Sequence, residues 1–235
     1  KYIMKFYKGI FVLKNIRDYV LTKTASFLSG STSNETFDIY SGKGGNGKSK
    51  HIELLESVMG DYAVKLPIQL LTAKRAASNA ATPELARTKG ARLVTMQEPD
   101  TKTKINVGLM KEMTGGDKIQ ARALYGEPFE FKPQFELVLM CNELPTIDDK
   151  SQGSWRRVQV YPFISRFVDD NKEVDKTKHI YLKDKQLQKK IDKWPIVFIV
   201  MLLKEWESMD GGINEDEIPD SIRMQTESYK NQNDM

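Results

Sequence analysis

The chain has 235 residues, enough to bury a full core in one α/β domain with helical additions. Its 36 basic and 32 acidic residues leave a net charge of +4, compatible with a polyanionic partner but too small to argue for one. With one cysteine, Cys141, and two histidines, His51 and His179, a disulfide framework, a cysteine-based zinc site and a histidine metal cluster are excluded.

The longest apolar run, PIVFIVMLL (195–203), is too short to span a bilayer, and no signal-peptide pattern is visible. No membrane partner is therefore expected. The first residue is Lys1, so a longer parent protein is expected.

In chain order, KYIMKFYKGIF and NIRDYVLTKTASFLSG read as amphipathic helices, the second closed by a glycine. ETFDIY reads as a short buried strand, and SKHIELLESVMG has helical apolar spacing. DYAVKLPIQLLT has strand-like content, and AKRAASNAATPELARTKG is polar, ending in a short helix. ARLVTMQE (91–98) is a second hydrophobic strand ending in an acid, and KINVGLMKEMTGG reads as a helix. DKIQARALYGEPFEFKPQ has two extended runs around Tyr125-Gly126-Glu127-Pro128, a hairpin pattern. FELVLMCN and WRRVQVYPF are further strands. From about Asp175 the chain reads as helical and charged, and the stripe Ile196, Phe198, Val200, Leu203 and Trp206 reads as core.

Between the first strand and its helix, Gly42 to Ser49 satisfy G-x-x-x-x-G-K-S, the phosphate-loop pattern in the strand–loop–helix context it requires. Gly42, Gly44, Gly45 and Gly47, with Asn46 among them, let backbone N–H groups curl around an anion at a helix N-terminus. Lys48 is placed to reach β- and γ-phosphates, Ser49 to hold Mg²⁺, and Lys50 to border the nucleotide. The ligand pair expected is ATP with Mg²⁺. A plain glycine turn is the rival reading.

Ligands gather at the carboxyl ends of parallel strands. The second strand ends at Glu98, followed by Pro99 and Asp100, where an acid could position Mg²⁺ through water or polarise the attacking water. A later strand ends at Asn142, suited to orient that water. Each alone is usually an ordinary polar cap; their order after hydrophobic strands favours chemistry.

GKGGNGKS, ARLVTMQEPD, KEMTGGDKIQAR, FKPQFELVLMCNELP and WRRVQVYPF together resemble the superfamily 3 helicases, and most closely the helicase domain of poxvirus-, giant-virus- and phage-type primase-helicases. The resemblance implies an AAA+ core with a 5-1-4-3-2 parallel sheet, assembled as a ring, usually a hexamer, that moves along single-stranded DNA. It divides the chain into an N-terminal helical segment (1–35), an ATPase core (36–168) and a C-terminal helical segment (169–235). A primase domain in the parent chain is the partner it suggests. For a viral protein the location implied is intracellular: the host cytoplasm or a viral replication compartment.

Under this resemblance Lys48 and Ser49 take the Walker A roles, Asn142 the sensor role and Glu98 the Walker B role. Many relatives carry two adjacent acids, whereas Gln97 precedes Glu98 here and the next acid is Asp100, so the base is either of these two. Arg157, with Arg156 beside it, stands where the family places its arginine finger; a planar, permanent cation suits charge on a γ-phosphate. Neighbouring side chains on a strand would point to opposite faces. Lys111 is a further candidate for phosphates across a subunit boundary. The hairpin supplies Lys118 and Arg122 for DNA phosphates and Tyr125 for a base or sugar, or else Tyr125 is core. The alternatives are a P-loop kinase and a nucleotide-dependent DNA-binding platform that does not unwind.

Overall fold

A computed structural model of the chain describes residues 1–73, 80–97, 104–209 and 213–233. Helices α1 (Tyr2–Ile10) and α2 (Lys14–Ser26) come first, and a 3-10 turn then ends at Gly30, whose φ of 65° is left-handed, as the closing glycine predicts. Strand β1 (Phe37–Ser41) and helix α3 (Lys48–Met59) flank the glycine loop. Then come β2 (Ala63–Lys65), α4 (Gln69–Thr72), α5 (Pro83–Ala86), β3 (Leu93–Gln97) and α6 (Val107–Thr114). The hairpin is β4 (Ile119–Arg122) with β5 (Pro128–Phe131), antiparallel, and β6 (Glu136–Cys141) follows it. Beyond lie α7 (Gln152–Trp155), β7 (Val158–Pro162), β8 (Arg166–Val168), β9 (Ile180–Leu182), α8 (Leu187–Ile191), α9 (Pro195–Ser208) and α10 (Asp220–Asn233).

The five-stranded sheet runs β2-β3-β6-β1-β7, every neighbour parallel. Numbering only these five strands along the chain and reading from the β7 edge gives 5-1-4-3-2. Side chains alternate between two apolar layers, as a pleat requires. Leu137, Leu139 and Cys141 of β6 face the side covered by α4, α5, α6 and α10, with Phe37 and Ile39 of β1. Val138, Met140 and Tyr40 face the side built by α1, α2, α3 and α9. The β7 edge is closed by α10: the Thr226 hydroxyl accepts the otherwise unpaired N–H of Val160 at 3.0 Å, which blunts an open edge.

Three segments depart from the sequence patterning. β2 stops after three residues because Pro67 cannot donate to a ladder, and the chain turns into α4. Past residue 175 the chain is not uniformly helical: β9 pairs in parallel with β8, and Pro195 splits the long charged helix into α8 and α9 by taking the N1 position. The stripe on α9 is not one face. Phe198 is fully buried with Leu202, whereas Ile196 (80% exposed), Val200 and Leu203 share the opposite, solvent-facing side at i, i+4 and i+7 spacing.

A buried charge cluster fastens α2 to the sheet. Lys23 lies 3.1 Å from Glu136 and 3.8 Å from Asp38, all three sealed from water. Burial, only partly opposed by the Lys23 charge and reinforced by Glu136, lifts the Asp38 pKa to about 7. Burial pulls Lys23 down, but the two carboxylates outweigh it and raise its pKa. Removing one member of such a group strands the others and typically costs about 3–5 kcal/mol. No described helix is long and apolar enough to cross a membrane.

Candidate nucleotide site

The glycine loop leaves β1 and is pinned from behind by the segment that leaves β7. Phe167 N–H donates to Gly45 O at 2.7 Å, and Asn46 Nδ2 donates to Phe163 O at 3.4 Å. Gly42 has a φ of 151°, and a Cβ there would lie 2.6 Å from Phe163 O, so only glycine fits. Gly47 has a φ of 91° and stands at the N-cap of α3. Asn46 does more than fill space: its Oδ1 accepts the Lys48 N–H at 3.3 Å. This bond folds the loop back on the start of α3, beside a hollow at the helix N-terminus, an arrangement suited to an anion.

That hollow has a volume of about 290 Å³ and is lined by Gly44 to Lys50, Gln97, Met140 and Asn142. The sheet register explains the meeting: Gln97 pairs with Met140 across β3 and β6, while Ser41 pairs with Cys141 across β1 and β6, so three strand ends open on one side. Lys48 Nζ donates to Gly42 O and to Asn142 Oδ1, the latter at 3.4 Å. Ser49 is exposed in the wall of the hollow. Lys50 borders it, but its ammonium is taken by Glu53 at 2.7 Å and by Gln188. Glu98 and Asp100 lie outside the described residues; Gln97, which directly precedes Glu98, lines the hollow. In the sequence Gln97 stands out only as the neighbour of Glu98, and Met140 not at all; strand register brings both to the wall.

His51, one turn into α3, is fully buried among the rings of Tyr7, Phe11, Tyr40 and Phe163. Burial lowers its pKa to about 3, so it is a neutral packing residue.

Arg156 and Arg157 are not part of a strand. They follow α7, and β7 starts only at Val158, so the opposite-face expectation does not apply. Both guanidinium groups meet Glu35 Oε2, Arg157 at 2.9 Å. Arg157 also donates to Gly153 O at 2.6 Å. Its carbonyl accepts the N–H of Phe37, the first residue of β1. The arginines therefore sit at the far end of β1 from the glycine loop, about 15 Å away for a five-residue strand. A second hollow, about 570 Å³, opens at that far end, with Glu35, Lys89, Gly116 and Lys132 in its wall.

Lys111 is held 3.1 Å from Asp149 and 3.2 Å from Ser151 Oγ. The Ser154 hydroxyl, followed by the Ser151 backbone, keeps Asp149 well below the usual carboxylate range. The same carboxylate thus ties α6 to α7, the element that directly precedes the arginines.

On the hairpin, Tyr125 is 97% exposed and left-handed (φ 59°) in a turn closed by Gly126 N–H to Ala123 O at 3.0 Å. It is not a core aromatic. Lys118 stands 3.8 Å from Glu130, both exposed, while Arg122 Nε donates to Gly126 O at 2.9 Å and thereby braces the turn.

"Putative helicase L207/L206" of Acanthamoeba polyphaga mimivirus is 45% identical over 210 residues, covering 87% of this chain and 22% of that protein. "Putative helicase 022R" of Frog virus 3 is 31% identical over 238 residues, 99% of this chain and 24% of that protein. "Putative primase C962R" of African swine fever virus is 29% identical over 205 residues, 83% of this chain and 21% of that protein. The chain spans about a quarter of the length of the curated relatives it matches. A solved structure described as "The apo structure of NrS-1 C terminal region (305-718)" shares the fold, with a TM-score of 0.64 at 12% identity over 97% of this chain and 51% of that one. The family model described as "Family of unknown function (DUF5906)" matches residues 39–157, from the strand before the glycine loop to the second arginine, and the chain belongs to that family.

Proposed function

We propose that this chain is the ATP-hydrolysing motor of a replicative DNA helicase, part of a longer protein that also carries a primase. The observation that carries the reading is the hollow in which Lys48, Ser49, Gln97 and Asn142 meet at the open ends of adjoining parallel strands. The relatives named as helicases and primases align over 83% to 99% of the chain, well beyond the glycine loop alone.

The residues fit ATP with Mg²⁺. Gly44 to Gly47 line the hollow, Lys48 brings a positive charge, and Ser49 brings a hydroxyl of the kind that Mg²⁺ takes in phosphate loops. Held by Ser49, Mg²⁺ would supply positive charge against the phosphates. Lys48 would exchange Gly42 O and Asn142 for phosphate oxygens, leaving the Asn142 amide to orient water. Glu98, or Asp100 close by, would accept the proton of that water. The Arg156–Arg157 pair, remote from its own loop, would bring a cation to a neighbouring subunit's nucleotide, which requires a ring; six subunits is the number proposed. Lys118 and Tyr125 would hold single-stranded DNA through phosphate neutralisation and stacking. An intracellular site of action follows from that substrate.

ATP turnover with and without single-stranded DNA tests the reading. Mg²⁺-dependent turnover that rises on adding DNA supports it; no turnover in either condition overturns it.

A further inference from the structure

Glu35 has no counterpart among the motifs of a nucleotide-binding loop, yet it is the residue on which both arginines converge. It is a non-glycine residue with a φ of 49°, in the left-handed region that side chains other than Asn and Asp seldom enter. Backbone held in such a region marks places where the surroundings over-determine the geometry, and these cluster at functional sites. Here the conformation places the carboxylate, just before β1, against Arg156 and Arg157, just before β7. The backbone joins the same two points through the Phe37 N–H to Arg157 O bond, at 2.6 Å.

The two arginines are held unequally. Arg157 keeps only 12% of its side-chain surface exposed and is bonded to Gly153 O as well as to Glu35. Arg156 is 54% exposed and rests on the same carboxylate oxygen from the solvent side. A carboxylate shared between two guanidiniums binds each less completely than a dedicated partner, and a phosphate with more negative charge can compete for the outer one. Glu35 also lines the hollow at this end of the sheet, where an approaching surface has room to enter.

We propose that Glu35 is the positioning residue of the trans-acting arginine: it fixes Arg157 as an anchor and aims Arg156 as the arm that leaves for a neighbour's terminal phosphate. This rests on the proposed function, and it reverses the order of the two arginines suggested by the motif alone. Glu35 touches neither nucleotide nor metal; it acts through the arginines.

The test is steady-state ATP turnover, with Mg²⁺ and single-stranded DNA, by the 235-residue chain carrying Glu35→Gln, Glu35→Gly or Glu35→Asp, with folding checked by circular dichroism. Glu35→Gly keeps the left-handed backbone without the carboxylate, so it remains informative if Glu35→Gln folds poorly. Glu35→Gln and Glu35→Gly should lower kcat about 10- to 100-fold, in line with the loss from misplacing a catalytic group by about 1 Å, while KM for ATP stays within about twofold. Glu35→Asp, which retains the charge, should recover part of the loss. Mixing Glu35→Gln subunits with Lys48→Ala subunits should restore turnover, because an intact loop then meets an intact Glu35–arginine set. Unchanged or raised kcat in Glu35→Gly, or a loss that mixing does not rescue, overturns the role of Glu35 while wild-type turnover leaves the function standing. A wild-type chain without turnover overturns both.

Discussion

Lys48 Nζ and Asn142 Oδ1 lie 3.4 Å apart, joining the start of α3 to the end of β6 across the hollow. The same ammonium also donates to Gly42 O, so the lysine is folded onto its own loop. Lys48→Ala should abolish ATP turnover yet leave the fold intact, because the lysine contributes charge to the hollow and little to the apolar layers. Turnover near the wild-type level in a folded Lys48→Ala protein would remove the nucleotide assignment.

Within the loop, two glycines make a controlled comparison. A methyl at Gly42 would lie 2.6 Å from the backbone oxygen of Phe163, whereas one at Gly44 meets nothing within 4 Å. Gly42→Ala should therefore destabilise by about 2–3 kcal/mol and Gly44→Ala by no more than about 0.5 kcal/mol, as read by urea unfolding. Equal effects would mean that the β7 exit segment does not press on the loop.

Stability should fall in acid through His51. Folded, it stays neutral down to about pH 3, while in the unfolded chain it takes up a proton near 6.5. The unfolded state therefore binds more protons in that window, so the stabilisation is complete above about pH 6.5 and lost as pH falls. The slope is about 1.4 kcal/mol per pH unit, or about 2 kcal/mol between pH 6.5 and 5. Asp38 works in the opposite sense, since its raised pKa makes the folded state the better proton binder between about 4 and 7. His51→Leu removes the first effect alone, so its stability should decline less in acid than that of wild type. Parallel pH profiles for the two proteins would refute the assignment.

Hairpin contacts separate by salt dependence. Lys118→Gln should reduce the logarithmic salt slope of single-stranded DNA binding by about 0.7, the loss of one phosphate contact. Tyr125→Ala should weaken binding by about 1–3 kcal/mol at every salt concentration without changing the slope, as expected for stacking. Because the ring is exposed, folding stability should hardly change. If Tyr125→Ala binds DNA as tightly as wild type, the hairpin tip lies off the DNA path.

Much of this site was legible because its residues are contiguous or end hydrophobic strands. Gly42 to Ser49 need only their neighbours to form a loop, and Asn142 closes an all-buried strand. The parts that were not legible depend on register and on long-range pairing. Glu35 meets arginines more than a hundred positions away, and nothing in its own neighbourhood signals a left-handed glutamate. Lys23 was hidden in an amphipathic helix, although charged Asp38 and Glu136 inside otherwise apolar strands hinted at a buried cation. The α9 stripe reads as one face in the sequence, but the helix turns its five apolar residues onto two.

Strand displacement tests the central claim most directly. The chain is given a labelled duplex with a single-stranded tail, with ATP and Mg²⁺, and release of the labelled strand is followed over time. The account predicts release that requires ATP, is lost in Lys48→Ala and is strongly reduced in Arg156→Ala. ATP turnover and DNA binding at wild-type strength with no strand released would contradict it.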